Sequence, residues 1–191
     1  SFERINKIIN DNIIEKKSET LIVNFYAGPG AGKSSMASGV FSELKWEGVE
    51  SELVQEYAKD LVWGELFNAL NNQIDVFGNQ HKRLFRLFDK VDVIVTDSPL
   101  LLQTLYSKDN YLNALITNVY KSGNNLDIFL NRVKEYNPKG RTQTKEEAIE
   151  LDKNMKKILT ETGNEFYTFN GEKASVEKVV KLILEKLKKD I

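Results

Sequence analysis

The 191 residues are 41% hydrophobic, enough for one domain to bury its own core, and include no cysteine, which excludes disulfides, thiolate metal sites and cysteine nucleophiles. The 27 basic and 28 acidic residues leave a net charge of -1, so no global field draws the chain to nucleic acid or an anionic membrane, and a single histidine excludes a multi-histidine metal site. No apolar run reaches the roughly 20 residues of a membrane helix, so the chain is expected to be soluble and cytoplasmic, with no membrane partner.

In chain order, Phe2, Ile5, Ile8, Ile9 and Ile13 recur at helical spacing among polar residues, predicting an amphipathic extension over residues 1–19 ahead of a domain from 20 to 191. Leu21 to Ala27 is a β-rich run that stops at a glycine cluster, after which Lys33 to Trp46 reads as a helix. Glu52 to Gln55 is a second extended run, leading through Glu56-Tyr57 into a helix expected to reach Leu70. Polar residues 71–79 follow, then a helix over Gln80 to Phe88. Val91 to Asp97 is apolar almost throughout, as suits a strand covered on both faces, and Ser98-Pro99 ends it. Residues 100–120 read as helix with interruptions, and Leu126 to Leu130 and Phe166 to Phe169 as the fourth and fifth strands. Helices are predicted over Lys145 to Leu159 and Val176 to Lys189, the lysines of the last forming a solvated face. This alternation predicts an α/β fold, a parallel sheet of about five strands with helices on both faces.

The glycine cluster, Ala27-Gly28-Pro29-Gly30-Ala31-Gly32-Lys33-Ser34, fits the Walker A pattern with alanine in place of its first glycine. Glycines let such a loop turn its amides inward around phosphate oxygens, and the following helix presents its positive end to the same anion. Gly28, Gly30, Ala31, Gly32, Lys33, Ser34 and Ser35 are therefore the candidate ATP-binding residues. Lys33 is expected at the β- and γ-phosphates and Ser34 at the Mg2+ that bridges them. A GTPase should carry D-x-x-G at its γ-phosphate sensor, but Asp97 precedes Ser98-Pro99-Leu100-Leu101, and nothing matches the guanine-reading N-K-x-D. An AAA-type motor is expected to end its Walker B strand in adjacent acids and to carry a helical lid domain, for which too little chain remains. A compact phosphotransferase is left.

At Gly28 to Ser35, Glu56-Tyr57-Ala58, Asp97 and Arg132 to Arg141, the chain resembles small P-loop kinases of the nucleoside and nucleotide kinase group. Among these it is most similar to ribosylnicotinamide kinase-like proteins and bacteriophage P-loop kinases, some described as AAA-like ATPases. The resemblance implies a P-loop NTPase fold with the Walker strand central in the sheet.

In an open α/β sheet, ligands collect at the carboxyl ends of the strands, where Gly28, Glu56, Asp97 and Arg132 are all expected. Asp97 is a candidate to hold Mg2+ or to take the proton of an attacking hydroxyl, and Glu56, with Tyr57, to bind the acceptor or act as the base instead. The basic segment Arg132 to Arg141 reads as a lid over about 132–143 whose cations have no evident partners. Its arginines, Arg132 and Arg141, are the candidate transition-state clamps, since a planar guanidinium fork is preorganised for phosphate. His81, Lys82, Arg83 and Arg86 form a second basic group. The expected activity is an ATP- and Mg2+-dependent kinase acting on a hydroxyl or phosphate of a nucleoside-like or nucleotide-like acceptor. The alternatives are a kinase acting on polynucleotide, at a terminal hydroxyl or a hydroxymethylated base in DNA, and a nucleotide-dependent regulatory ATPase.

Overall fold

The computed structural model describes residues 18–133 and 144–189; the expected N-terminal helix and most of the expected lid, including Arg141, lie outside the described residues. Five strands, β1 (Leu21–Tyr26), β2 (Ser51–Val54), β3 (Val93–Thr96), β4 (Asn124–Asn131) and β5 (Phe166–Asn170), form one sheet in the order β2-β3-β1-β4-β5. All pairings are parallel, with Asn24 of β1 level with Thr96 on one side and Asp127 on the other. Parallel neighbours need crossovers, which the helices supply. They are α1 (Lys33–Trp46), α2 (Tyr57–Trp63), α3 (Gln73–Phe85), α4 (Asn110–Lys121), α5 (Lys145–Glu161) and α6 (Val176–Lys189).

The two-residue period of a strand decides which cluster each β1 side chain joins. Leu21, Val23 and Phe25 face one way and pack with Met36, Val40 and Leu44 of α1 and Val179 and Ile183 of α6. Ile22 faces the other way, with Phe77 and Leu84 of α3 and Leu112 and Ile116 of α4, and Tyr26 joins Met155 and Leu159 of α5. All of β1 is buried, so the Walker strand is the centre of the molecule, as expected.

Two helix boundaries differ from expectation. The helix after β2 stops at Trp63, because Gly64 caps it and Glu65 takes a left-handed conformation (φ 56°); a 3-10 turn over Phe67–Asn71 replaces its second half. The polar segment 71–79 then belongs largely to α3, which starts at Gln73. Asn72 caps that helix by accepting from the Asp75 amide at 3.3 Å, and Phe77, Gln80 and Leu84 line its buried face. Amides in place of apolar residues hide this periodicity in the sequence. Residues 100–121 divide as expected, into a 3-10 segment over Leu100–Leu105 and α4, capped by Asp109. No helix among the described residues is long and apolar enough to cross a membrane.

Candidate phosphate and metal site

The loop between β1 and α1 lies at the carboxyl end of the central strand. Gly32 has φ 94°, a left-handed conformation open to glycine at little strain. Gly28 is required for a different reason: a Cβ there would lie 2.6 Å from Asp152 Oδ1 and 2.8 Å from the Ala148 carbonyl, both on α5. That close approach lets the Gly28 amide donate to Asp152 Oδ1 at 2.6 Å. Ala31 is buried under the loop, its amide donating to the Gly28 carbonyl, while Gly30 takes a φ of 78°.

Lys33 opens α1 and folds back over the loop, its Nζ donating to the Ala27 carbonyl at 2.9 Å. Desolvation pushes its ammonium below the usual lysine value, against the opposing pull of Glu56 and Asp97. Ser34 and Ser35 lie exposed in the first turn of the same helix. Ser34 Oγ donates to Asp97 Oδ2 at 2.5 Å, joining the loop to the residue that closes β3.

Asp97 is only 3% exposed. Burial pushes its carboxyl up, yet hydrogen bonds from Lys59 and Ser34 and the charges of Lys59 and Lys33 together hold it below the usual carboxylate range. The Lys59 ammonium lies 2.8 Å from Asp97 Oδ2 and 2.8 Å from Ser34 Oγ. Asp97 Oδ1 is buried and makes no hydrogen bond among the described residues.

The structure thus brings Lys33, Ser34 and Asp97 together. Arg132 follows β4 and reaches the same loop: its guanidinium donates to the Pro29 carbonyl at 2.6 Å and to Asp152 Oδ2 at 3.2 Å. The expectation of a cation without internal partners is corrected here, because α5 packs a carboxylate directly against it. Glu56 precedes α2 and lines a cavity of about 460 Å³ at the ends of β2 and β3, beside Lys59, Ser98 and Tyr106. Tyr57 points elsewhere. Its amide donates to Gln80 Oε1 at 2.8 Å, its phenol lies 3.4 Å from Asp75 Oδ2, and the Arg83 guanidinium covers its ring. Arg83 also bonds Asp60, and His81 stacks between Phe77 and Phe85, so these two members of the second basic group are engaged within the fold.

The sequence reading does not single out Lys59 or Asp152. Lys59 falls one helical turn after Glu56, a spacing that places the two on one face and could have raised it. Asp152 carries no such signal, since it meets Gly28 across 124 positions of sequence.

These residues fit a nucleotide and a divalent cation. A glycine loop leading into the start of α1, with Lys33 in its first turn, is the arrangement that supplies backbone and ammonium donors to a phosphate. Ser34 Oγ and the unpartnered Asp97 Oδ1 are hard oxygens suited to Mg2+, which commonly takes only one or two protein ligands and completes its shell with phosphate oxygens and water. Among the described residues no cluster of three histidine, aspartate or glutamate side chains could hold a metal without such help.

Sheet order, central Walker strand and glycine loop define a P-loop nucleotide-binding domain of the α/β class. A family model described as an AAA domain, AAA_28, matches residues 22–178, from β1 into α6, and the chain belongs to that family. Within it, β3 ends in Thr96-Asp97-Ser98 rather than in adjacent acids. No curated protein matches the chain. Among solved structures it is similar to one titled "Crystal structure of APE1195", with 14% identity and a TM-score of 0.46 over 91% of this chain and 97% of that one.

Proposed function

We propose that the protein is an ATP- and Mg2+-dependent kinase that transfers the γ-phosphoryl group to a hydroxyl of a nucleoside-like acceptor. The observation that carries this reading is the cavity beside the phosphate loop. A hydrolytic switch has no need of a chamber of this size reaching Lys59 and Ser98, next to Ser34 and Asp97, whereas a kinase must seat an acceptor near those residues and keep water out.

The cavity's chemistry narrows the acceptor. Its walls include Val62, Leu70, Val76 and Leu100, with Tyr106 at the rim, which suit a flat ring. The amide nitrogens of Gln73, Gln80 and Gln103 each donate to a backbone carbonyl and so tie the walls together. Its charged lining residues are Glu56 and Lys59, and Lys59 already bonds Asp97. A phosphorylated acceptor would find little to neutralise it, which favours an uncharged hydroxyl compound over the nucleotide-like acceptor.

In the reaction the acceptor oxygen attacks the γ-phosphorus, its bond to the β-bridging oxygen breaks, and ADP leaves. Lys33 and the loop amides bind the phosphates, and Arg132, fixed by Pro29 and Asp152, adds positive charge at the loop's edge. Ser34 and Asp97 hold Mg2+, which when bound neutralises charge on the β- and γ-phosphates. The acceptor's proton goes to Glu56, because Asp97 is engaged by Ser34 and Lys59 and held in its weakly basic form.

A screen of nucleosides, nucleotides and oligonucleotides with γ-labelled ATP tests this. Label should pass to a nucleoside-like compound at least about 10²-fold faster than to water, a modest fraction of what alignment can contribute. Acceptor-independent free phosphate alone would make the protein a regulatory ATPase, and label only in oligonucleotide would make it a polynucleotide kinase.

A further inference from the structure

Lys59 has no part in that mechanism, yet its ammonium stands in the middle of the site. It touches both Ser34 Oγ and Asp97 Oδ2 at 2.8 Å, the very residues that fit a divalent cation. This is no ordinary surface ion pair, because the Asp97 side chain is 3% exposed while that of Lys59 is 43% exposed. A carboxylate so buried needs a cation close by, since removing its partner leaves an uncompensated charge in the interior. The other lysine of the site is turned to the Ala27 carbonyl. Lys59 is thus the cation in direct contact with Asp97 among the described residues.

We propose that Lys59 is the resident counter-cation of the metal site: it holds Ser34 and Asp97 in place when metal is absent, and a divalent cation displaces it toward the acceptor cavity. The proposal rests on the assignment of Ser34 and Asp97 to Mg2+ in the proposed function, and not on the identity of the acceptor. An ammonium on Ser34 Oγ and Asp97 Oδ2 and a metal ion on Ser34 Oγ and Asp97 Oδ1 would share the hydroxyl and crowd one buried carboxylate, beside which like charges repel more strongly than in water. Lysine suits the exchange, because a compact charge on a flexible four-carbon stem can leave without moving its helix. Its new position is prepared as well. Lys59 already lines the acceptor cavity, and Glu56, one helical turn earlier in the chain, lines the same cavity and can receive the ammonium. Metal loading therefore moves the Lys59 ammonium from the metal site to the cavity, where Glu56 pairs it and the acceptor side gains no unpaired cation.

The test is Mn2+ binding to the full, nucleotide-free chain, followed by electron paramagnetic resonance. Lys59→Met should bind Mn2+ at least about 10-fold more tightly than wild type, because a competing charge has been removed from the site. Lys59→Arg should remain weak. Adding Asp97→Asn to Lys59→Met should abolish the gain and so localise it. A second measurement needs no substitution: acetylation of Lys59 in the wild-type chain by an amine-reactive ester, read by mass spectrometry, should rise as Mg2+ and ATP are added. Equal Mn2+ affinities in folded wild type and Lys59→Met, or Lys59 acetylation indifferent to Mg2+ and ATP, would overturn the displacement while leaving the metal assignment standing. Absence of Mn2+ binding to both proteins, with and without ATP, would overturn the metal assignment and this proposal together. Neither result depends on finding the acceptor.

Discussion

Asp97 and Asp127 lie on the two strands that flank β1, one just past the end of β3 and the other within β4, and they are 3% and 1% exposed. Equal burial has opposite consequences for them. Asp127 accepts from the Tyr120 phenol and, at 2.9 Å, from the Asn24 amide, both neutral, and burial holds its carboxyl above the usual range. Asp97 accepts from Lys59 and Ser34 and is held below that range. Depth in the sheet does not by itself set a carboxylate's charge state; the neighbouring cations do. The polar knot around Asp127, with Asn164 donating to the Tyr120 hydroxyl at 3.0 Å, joins β1, β4 and the end of α4, whereas Asp97 has an oxygen left for something else.

The largest effect that would test this contrast is at the cationic end. Lys33→Ala should keep the fold and lower phosphoryl transfer on the order of 10³-fold, since its charge meets the oxygens that gain charge in transfer. Circular dichroism together with product formation would check it, and wild-type turnover in a folded variant would remove the site from this loop. Next, Asp97→Asn should cost roughly 10²-fold, with part of the rate recovered at raised Mg2+ if its role is to hold the metal. Asp127→Asn should leave turnover within a few fold. Comparable losses at both positions would break the contrast.

A smaller effect is expected at the edge of the loop. Asp152→Ala removes one partner of a pair whose side chains are 13% and 18% exposed, and deprives the Gly28 amide of its acceptor. Stability measured by urea unfolding should fall by about 2 kcal/mol, below the full cost for a wholly buried pair. ATP affinity should fall with it as Arg132 loses its orientation, and an unchanged affinity would show that Arg132 needs no such support.

The smallest effect is in the pH dependence of stability. Because the folded pKa of Asp127 is raised, the folded state holds its proton at pH values where the unfolded chain, with an ordinary value of 3.8, has released it. The stability due to that proton is therefore present at low pH and is lost as pH rises through the folded value. Asp127→Asn should lack this loss, so the difference in unfolding free energy between wild type and variant should move against the wild type over that window. A difference that is flat with pH would show that Asp127 is no more acidic or basic in the fold than in the unfolded chain.

Much of this is legible in the amino-acid sequence. A glycine-rich loop binds phosphate through its own backbone, so the residues that do the binding are contiguous, and residues 27–34 announce the site by themselves. Strands buried on both faces read as apolar runs, which is why β1 and β3 are clear in the sequence, and helices with regular apolar spacing, such as α1 and α6, are equally clear. Where amides replaced apolar residues, as at Gln73 and Gln80 of α3, the period vanished from view although the packing kept it.

Sequence alone therefore determined what local chemistry determines: a phosphate loop between a strand and a helix, and strands alternating with helices that must form a parallel sheet. Only the tertiary structure decided which of the two carboxylates buried among the described residues faces a cation, that Lys59 bridges Ser34 and Asp97, and that Asp152 closes on Gly28 and Arg132 from across the molecule. The reason is that these are contacts between elements. Their energies depend on strand order and on how closely α2 and α5 approach the sheet, and neither quantity is carried by the spacing of residues along the chain.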